Sequence, residues 1–262
     1  SHQEKIAPRY SASEDYFAMV HTPVSIADAI KTTKGKEALE KAWSMLENPK
    51  RPTWDVSKVR SKKDVIAEAQ RKGKSVHFGS LMDLCHIKNS QLGKEFWIYK
   101  GRIVFRGDIV KTEENKFAVF TEQGASASHM AAAKFMDAIA RMPGNDGEDS
   151  DAVGAYTQVT LEEAAKILGD DVITETWISF PPHRRPKSWK GIEDPVCPLI
   201  RNLYGHPLAG LLWEKYQEKA LLAIGWEKVN SWECLYVHRK QQLFLSCYVD
   251  DYKMAGKKKN IA

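Results

Sequence analysis

Close to the end of the chain, an apolar segment with the pattern of a β-strand is interrupted by two adjacent aspartates and then resumes. The segment reads LSCYVDDYKMAG, and the aspartates are Asp250 and Asp251. Two neighbouring carboxylates cost free energy unless water or a cation neutralises them. The pattern therefore predicts two strands joined by a turn at the aspartate pair, and this turn is either solvated or part of a metal site.

The composition indicates a chain that folds around a sizeable core. It has 262 residues, 43% of them hydrophobic, which is enough for one large domain or two small ones. A net charge of +5 is compatible with nucleic-acid binding but does not prove it. No apolar run approaches the length of a membrane span, and the first residues lack the apolar stretch of a signal peptide. We therefore expect an intracellular protein, cytoplasmic or nuclear and not secreted, without a membrane partner.

The four cysteines do not suggest a zinc site. They form no C-x-x-C pair, and without secretory features a reducing compartment is expected. Since the chain does not begin with Met, we also expect it to be a processed or excised piece of a longer protein.

Helical periodicity alternates with short strand-like segments, which predicts an α+β fold with an antiparallel sheet and helices. Capping patterns support helices that follow Ser61, Ser126 or Ser128, and Thr160. The predicted helices cover residues 34–50, 61–74, 126–144, 160–169 and 206–226. The predicted strands cover residues 76–84, 95–107, 116–122, 151–159, 175–182, 233–239, 243–249 and 252–256. Residues 145–150 (NDGEDS) are predicted to be a polar loop, and residues 1–27 a weakly ordered lead-in.

A pair of aspartates in a rigid turn, joined by a third from a neighbouring strand, suits divalent cations. Mg²⁺ prefers oxygen ligands and takes one or two carboxylates together with substrate phosphates. Two such ions at a separation of about 3.5–4 Å stabilise the attacking and leaving oxygens of a phosphoryl transfer. A Y-x-D-D motif by itself is usually only a solvated turn, so the other motifs of the chain decide its interpretation.

Those motifs resemble the reverse transcriptase of copia-type retrotransposons, from about residue 28 to the end. AWSMLENPKRPTWDV resembles the opening helix and N-x-TW segment of that family, and YKGRIVFRG resembles its YKARLVARG. DAVGAY is similar to its first catalytic motif, LYGHPLAGLLWEK to its LYGLKQAPRAWYEK, and YVDD to its catalytic hairpin. The motifs follow one another in the order of the family.

The resemblance implies the fingers and palm of a right-hand polymerase, with an antiparallel palm sheet packed on helices. Residues 28–145 would mainly form the fingers and residues 146–262 the palm. The thumb and RNase H segments of the Pol polyprotein would be absent and would follow Ala262. The implied activity is RNA-directed DNA polymerisation from dNTPs on a primed RNA or DNA template. Asp151, Asp250 and Asp251 would be the catalytic carboxylates and the ligands of two Mg²⁺ ions, for which Mn²⁺ can substitute.

The resemblance also implies nucleotide-binding residues. Tyr156, five residues after Asp151, would exclude a 2′-hydroxyl; a core tyrosine on a half-buried strand is a common alternative, but the spacing from Asp151 favours the first interpretation. Tyr204 and Gly205 would form a turn before the long helix, with Gly205 in a backbone conformation that other residues resist. The cations of the segment YKGRIVFRGD would hold the triphosphate, or they would form a solvated strand face. They are Lys100, Arg102 and Arg106.

The chain departs from the family at several points. Leu208 and Leu211 occupy the positions of a family Gln and a family Arg, and the polar NDGEDS stands where the family has an apolar strand. These departures leave a second hypothesis open, a catalytically inert nucleic-acid-binding remnant of a Pol polyprotein. A third hypothesis is a globular domain in which the Asp250–Asp251 pair is only a turn.

Overall fold

The protein is a mixed α+β chain, as the periodicity predicts. The computed structural model describes residues 21–120, 128–169 and 173–261. The described residues divide into two compact units: the first contains residues 21–48 and Met82–Val104, and the second contains Pro49–Leu81 and the described residues after Val104. The division into fingers and palm at residues 145 and 146 stays a prediction. No described helix is both long enough and apolar enough to cross a membrane.

The helices and strands have the following bounds. The helices are α1 (Ile26–Ala29), α2 (Thr33–Leu46), α3 (Lys62–Lys72), α4 (Met130–Ala140), α5 (Ala155–Gln158), α6 (Leu161–Leu168) and α7 (Ala209–Ala223). The first six strands are β1 (His21–Val24), β2 (Arg60–Ser61), β3 (Val76–Lys88), β4 (Ile98–Phe105), β5 (Lys111–Thr112) and β6 (Asn145–Asp151). The remaining strands are β7 (Glu175–Ser179), β8 (Pro195–Pro198), β9 (Glu227–Lys228), β10 (Leu235–His238), β11 (Leu243–Tyr248) and β12 (Asp251–Lys257).

The first unit packs α1 and α2 beside the second half of β3. Strand β1 pairs with β3 in antiparallel register, from His21 opposite Lys88 to Val24 opposite Cys85. Ala29, Leu39 and Cys85 form its buried core. The indole Nε1 of the buried Trp43 donates a hydrogen bond of 2.6 Å to Oδ1 of Asp83, so a buried carboxylate has a partner.

The second unit contains a mixed sheet. The first half of β3 pairs in parallel with β7, which pairs with β8, and β8 pairs with β2. Helix α3 covers this sheet with Val65 and Ala69, which pack against Phe78, Trp177 and Val196. Burial of these apolar side chains supplies the main stabilisation of this part of the fold.

The second unit also contains an antiparallel sheet in the order β6-β12-β11-β10-β9. Alternate residues of β11 point to its two faces. Leu243, Leu245 and Cys247 lie on one face, with Leu221 of α7 packed against their cluster. The opposite face is covered by Ala132 and Met136 of α4, which pack against residues of β10 and β12.

Several predicted helices are confirmed together with their caps. Ser61 Oγ accepts a hydrogen bond from the Asp64 N–H at the start of α3, and Thr160 and Glu163 form a reciprocal capping box at α6. Helix α4 begins differently, since its N-cap is His129 without a side-chain bond, and Ser128 bonds to Ser246 instead. The alternative cap, Ser126, lies outside the described residues.

Four local predictions are wrong. Residues 21–27 are not a weakly ordered lead-in, because residues 21–24 pair with β3 as β1 and Ser25 caps helix α1; residues 1–20 of that prediction lie outside the described residues. Residues 145–150 are not a loop but form most of β6, because pairing with β12 holds them extended. Residues 152–159 are not a strand, because Gly154 has a φ of 60° and the chain turns there into α5. Residues 116–120 form a single bridge at Phe117 rather than a strand. The end of that predicted strand, residues 121–122, lies outside the described residues.

Candidate active site: carboxylates at the end of a hairpin

Strands β11 and β12 form a hairpin whose two-residue turn is Val249 and Asp250. Tyr248 and Asp251 close the ladder as a directly opposed pair. The turn therefore lies one residue earlier than the predicted turn at the aspartate pair, and Asp251 is the first residue of β12. The two aspartates have different surroundings, one in the turn and one on the strand.

Asp151 lies directly opposite Asp251. It is the last residue of β6, and the register of β6 and β12 pairs these two aspartates. The Ala152 N–H also donates a hydrogen bond of 2.7 Å to the Asp250 carbonyl, which fixes the chain after Asp151 to the turn. Residues nearly 100 positions apart in sequence, Asp151 and Asp250–Asp251, are thus brought to one end of the sheet.

The face of the sheet that carries Asp151 and Asp251 also carries further charges. Opposed residues of antiparallel strands point to the same side, so Asp149 and Lys253 share this face. Lys253 Nζ forms an ion pair with Asp137 of α4 and lies 3.9 Å from Asp149 Oδ1. The neighbouring cation is therefore already engaged by carboxylates other than Asp151 and Asp251.

The Asp151 and Asp251 carboxyls crowd one another. Burial raises the pKa of Asp251, and its hydrogen bond with the Asp151 side chain and the negative charges of Asp250, Asp151 and Asp149 act in the same direction. Two carboxylates at hydrogen-bond distance need a proton or a cation between them. The pair therefore concentrates negative charge at the strand end.

The donor set suits Mg²⁺ in its chemistry, because a hard cation takes carboxylate oxygens and completes its shell with water or phosphate. The structure supplies a pair of carboxylates with a third on the adjacent residue. Within the described ranges, no group of three or more His, Cys, Asp or Glu side chains is arranged to enclose a metal ion. The chain thus offers Asp151 and Asp251 as a pair, with Asp250 next to them in sequence.

The hairpin turn has an unusual backbone. Val249 has a φ of 57°, which is rare for a β-branched residue. Such a conformation costs about 1–3 kcal/mol and persists where surrounding contacts impose it. Here Trp213 of α7 donates a hydrogen bond of 2.6 Å from its Nε1 to the Val249 carbonyl, and Trp213 is itself buried. Helix α7 therefore fixes the turn that carries Asp250.

Tyr156 and Tyr204 lie in ring contact in the second unit. Their ring centroids are 4.6 Å apart at an interplanar angle of 60°. Tyr156 lies on helix α5 and not on a strand, so the interpretation as a strand residue is wrong. Both rings are only partly buried. The predicted aromatic residues are thus brought together, one from each of two separate motifs.

Gly205 adopts the backbone conformation that the sequence predicts for it. Its φ is 86°, and a Cβ atom at this position would meet the Phe105 carbonyl oxygen at 2.1 Å. The Phe105 N–H also donates to the Tyr204 carbonyl at 2.8 Å. The turn before α7 therefore requires glycine both for its conformation and for its close approach to Phe105.

The three predicted phosphate-binding cations do not form one strand face. Lys100 and Arg102 lie on β4 of the first unit at exposed alternate positions, beside His86. Arg106 lies after the end of β4, in the second unit, and forms an ion pair of 2.8 Å with Asp108. Strand alternation therefore does not extend to Arg106, because the strand ends at Phe105.

The positions that differ from the copia pattern are core positions here. Leu208 and Leu211 are 4% and 7% exposed. His206 is also buried, its Nδ1 accepts a hydrogen bond from the Leu208 N–H, and burial lowers its pKa to about 4. These residues stabilise the start of α7 by packing and capping, and they present no amide or guanidinium group.

Sequence patterns did not single out Trp213 or Lys253 as neighbours of the carboxylates. Trp213 occurs within the apolar periodicity of α7, and Lys253 within the alternation of β12. The only available signal was positional, since residues two apart on a strand share a face and Lys253 is two residues after Asp251.

No protein-family model matches the sequence, and no curated protein matches it. The interpretation of the carboxylates therefore depends on the residues and their geometry.

Proposed function

We propose that this chain is the fingers and palm portion of an RNA-directed DNA polymerase of the copia type. The reaction would be nucleotidyl transfer from a dNTP to the 3′-hydroxyl of a primer on an RNA or DNA template. The observation that carries this proposal is the direct pairing of Asp151 with Asp251 beside the Asp250 turn. Two separate motifs that resemble the copia family, DAVGAY and YVDD, thereby contribute carboxylates to the same end of the sheet.

In this proposal the carboxylates of Asp151, Asp250 and Asp251 hold two Mg²⁺ ions. The ions would supply charge neutralisation for the triphosphate and acidify the attacking hydroxyl. The raised pKa of Asp251 supports the proposal, because a crowded carboxyl pair gains from a cation that replaces its shared proton.

The protein would otherwise act by positioning the metal-binding carboxylates, the nucleotide and the primer. Trp213 holds the Val249 carbonyl and with it the turn that carries Asp250. The Tyr156 and Tyr204 rings form a partly exposed aromatic surface in the same unit, of the kind on which a sugar or base packs. We assign Tyr156 the exclusion of a 2′-hydroxyl and Tyr204 and Gly205 the support of that surface. Lys100, Arg102 and Arg106 are proposed to contact phosphate.

One observation favours a second candidate. The copia pattern has a Gln and an Arg where this chain has the buried Leu208 and Leu211. A chain that lacks those polar groups retains the fold and a net positive charge but loses part of its nucleotide handling. The second candidate is therefore a nucleic-acid-binding remnant without polymerase activity.

The deciding experiment is Mg²⁺-dependent dNTP incorporation on an RNA template with a DNA primer at low salt. We expect incorporation by the wild type and none by Asp250→Asn or Asp151→Asn. Glu148→Gln is the matched control, because Glu148 lies on β6 but on the opposite face from Asp151. Equal incorporation by wild type and Asp250→Asn would refute the proposal. Salt-sensitive duplex binding without incorporation in the wild type would support the remnant.

A further inference from the structure

A second site lies on the mixed sheet of the second unit. A cavity of about 440 Å³ opens beside α3, β3, β5 and β8. Its wall carries three cationic side chains, Lys62, Lys111 and Arg185. We call this cavity the cationic cleft. The volume lies in the range of about 300–1,000 Å³ that is typical of small-molecule sites.

The three cationic side chains of the cleft outnumber its one described carboxylate, Asp194. Within the described ranges, Lys62, Lys111 and Arg185 form no ion pair, although Asp194 also lines the cavity. Three like charges that converge on one cavity repel one another, and an anion between them relieves this repulsion. The cleft therefore favours a ligand that carries negative charge.

Aromatic rings hold the two lysines. Lys62 Nζ lies 5.0 Å from the centroid of the buried Phe78 ring, and Lys111 Nζ lies 5.6 Å from that of Phe117. A cation over a ring face is held in place but keeps its charge and its hydrogen-bond donors. Each ammonium group thus remains able to donate to an anion.

Arg185 is held from another side of the cavity. Its Nε donates a hydrogen bond of 3.3 Å to the Phe180 carbonyl. A guanidinium group has five N–H donors, so four remain for a ligand. Two of them are arranged to bind a phosphate in a bidentate manner.

The position of Lys62 also disfavours a purely structural role. It is the first residue of α3, where the helix dipole is positive and a cation is destabilised. A bound anion would remove this penalty. Neighbouring neutral donors, including the Asn115 side chain, add hydrogen-bonding capacity to the same wall.

We propose that the cationic cleft binds a phosphate group, either of a single nucleic-acid strand or of a free nucleotide. Cationic side chains interleaved with aromatic rings are the combination that binds single strands without sequence preference. This proposal does not depend on polymerase activity, since none of the carboxylates at the hairpin lines the cleft.

The test measures binding of a fluorescein-labelled twelve-nucleotide oligothymidylate to the full chain by anisotropy at several salt concentrations. The double variant Lys62→Gln/Arg185→Gln is expected to bind roughly tenfold or more weakly. Its slope of log affinity against log salt is expected to fall by about 1.4, because each lost phosphate contact on a single strand contributes about 0.7.

The matched control is Lys63→Gln/Arg141→Gln, which removes the same net charge. Lys63 is the next residue of α3 and Arg141 lies at the end of α4, and both side chains are exposed and outside the cleft. Wild-type affinity in the control supports the cleft. An equal loss in both double variants, with unchanged circular dichroism, shows that only net charge matters and overturns the proposal.

Two further probes distinguish the sources of phosphate. Titration with dTTP and with inorganic phosphate, followed by NMR shifts of Phe78 and its neighbours, detects a free nucleotide or anion in the cleft. If dTTP binding saturates in the wild type and is lost in Lys62→Gln/Arg185→Gln, the ligand of the cleft is a nucleotide. If only the oligonucleotide binds, the ligand is a nucleic-acid strand. No binding of any of the three probes at low salt refutes the site. Oligonucleotide binding that is retained in Asp250→Asn separates this result from a failure of polymerase activity.

Discussion

The indole nitrogen of Trp213 donates a hydrogen bond of 2.6 Å to the main-chain carbonyl of Val249. This contact joins helix α7 to the turn between β11 and β12. Val249 has a positive φ that a β-branched residue resists, so the turn keeps its shape because of its partners. A side chain from one motif thereby fixes the backbone that places Asp250.

Replacing Trp213 tests this relationship. Trp213→Phe keeps an aromatic ring but removes the donor, so the Val249 carbonyl loses its partner. We expect the free energy of unfolding to fall by about 1–3 kcal/mol in urea titrations. Trp226→Phe is the control, because Trp226 is comparably buried and no described residue accepts a hydrogen bond from its indole. An equal loss in both variants would mean that packing alone explains the effect.

Gly205 should tolerate no side chain. Gly205→Ala places a methyl group against the Phe105 carbonyl and keeps an unfavourable φ, so we expect a loss of about 2–4 kcal/mol in stability. The matched variant Gly191→Ala has a similar φ of 93° with no atom within 4 Å of the added Cβ. We expect it to lose only about 1 kcal/mol, which thermal or urea unfolding would resolve. Comparable losses would contradict the steric explanation.

His206 should make the fold sensitive to acid. Its pKa is lowered to about 4 by burial, with a smaller contribution from the charge of His77. The unfolded chain binds this proton near pH 6.5 and the folded chain does not, so stability falls as the pH decreases from about 6.5 towards 4. The full difference is about 3 kcal/mol.

The variant His206→Asn isolates this contribution. Asparagine can still accept the Leu208 N–H but does not titrate. The pH dependence of urea unfolding between pH 7.5 and 4.5 should therefore be shallower in the variant. Identical slopes would show that another group is responsible.

Asp251 should change the pH dependence of stability in the direction opposite to His206. Its pKa is raised, so the folded chain binds the proton more strongly than the unfolded chain, and stability falls as the pH rises through the raised pKa. Asp251→Asn removes the like charge opposite Asp151. We expect it to raise the free energy of unfolding at pH 7 by about 0.2–1 kcal/mol and to have little effect below pH 3.8. A destabilised Asp251→Asn variant at neutral pH would contradict the crowding of the pair.

A divalent cation should relieve the same crowding. Mg²⁺ or Mn²⁺ that binds only the folded chain raises the melting temperature, with about 1.4 kcal/mol of stabilisation at a concentration ten times the dissociation constant. We expect this shift in the wild type and in Glu148→Gln, and its absence in Asp151→Asn. A shift of the same size in all three proteins would show that the ion binds at a site that does not include Asp151.

The sequence predicts those elements that depend on local patterns. Helices α3 and α6 follow directly from Ser61, Thr160 and the apolar periodicity after them, since caps act within one turn. Strand β6 could not be predicted, because its residues are almost entirely polar and its conformation depends on pairing with β12. Local propensity is a weak guide where a neighbouring strand supplies the hydrogen bonds.

The sequence predicts the carboxylates of the candidate site, but it does not predict the strand pairing and the packing contacts that position them. Asp151, Asp250 and Asp251 stand in short motifs, whereas the registers that join them involve β6, β11 and β12 together. The helix at Tyr156 was missed because a single glycine with positive φ, Gly154, redirects the chain. Contacts such as Trp213 to Val249 depend on tertiary packing and leave no pattern in the sequence.

Strand β6 also bears on how copies of this chain behave in concentrated solution. It is the terminal strand of its sheet in the described part of the chain, and Asp146, Glu148, Asp149 and Asp151 lie along it. An open edge invites another strand, but two such edges would bring two rows of carboxylates together. The acidic edge would therefore oppose edge-to-edge association, and millimolar divalent salt, by screening it, should lower the concentration at which the molecules associate.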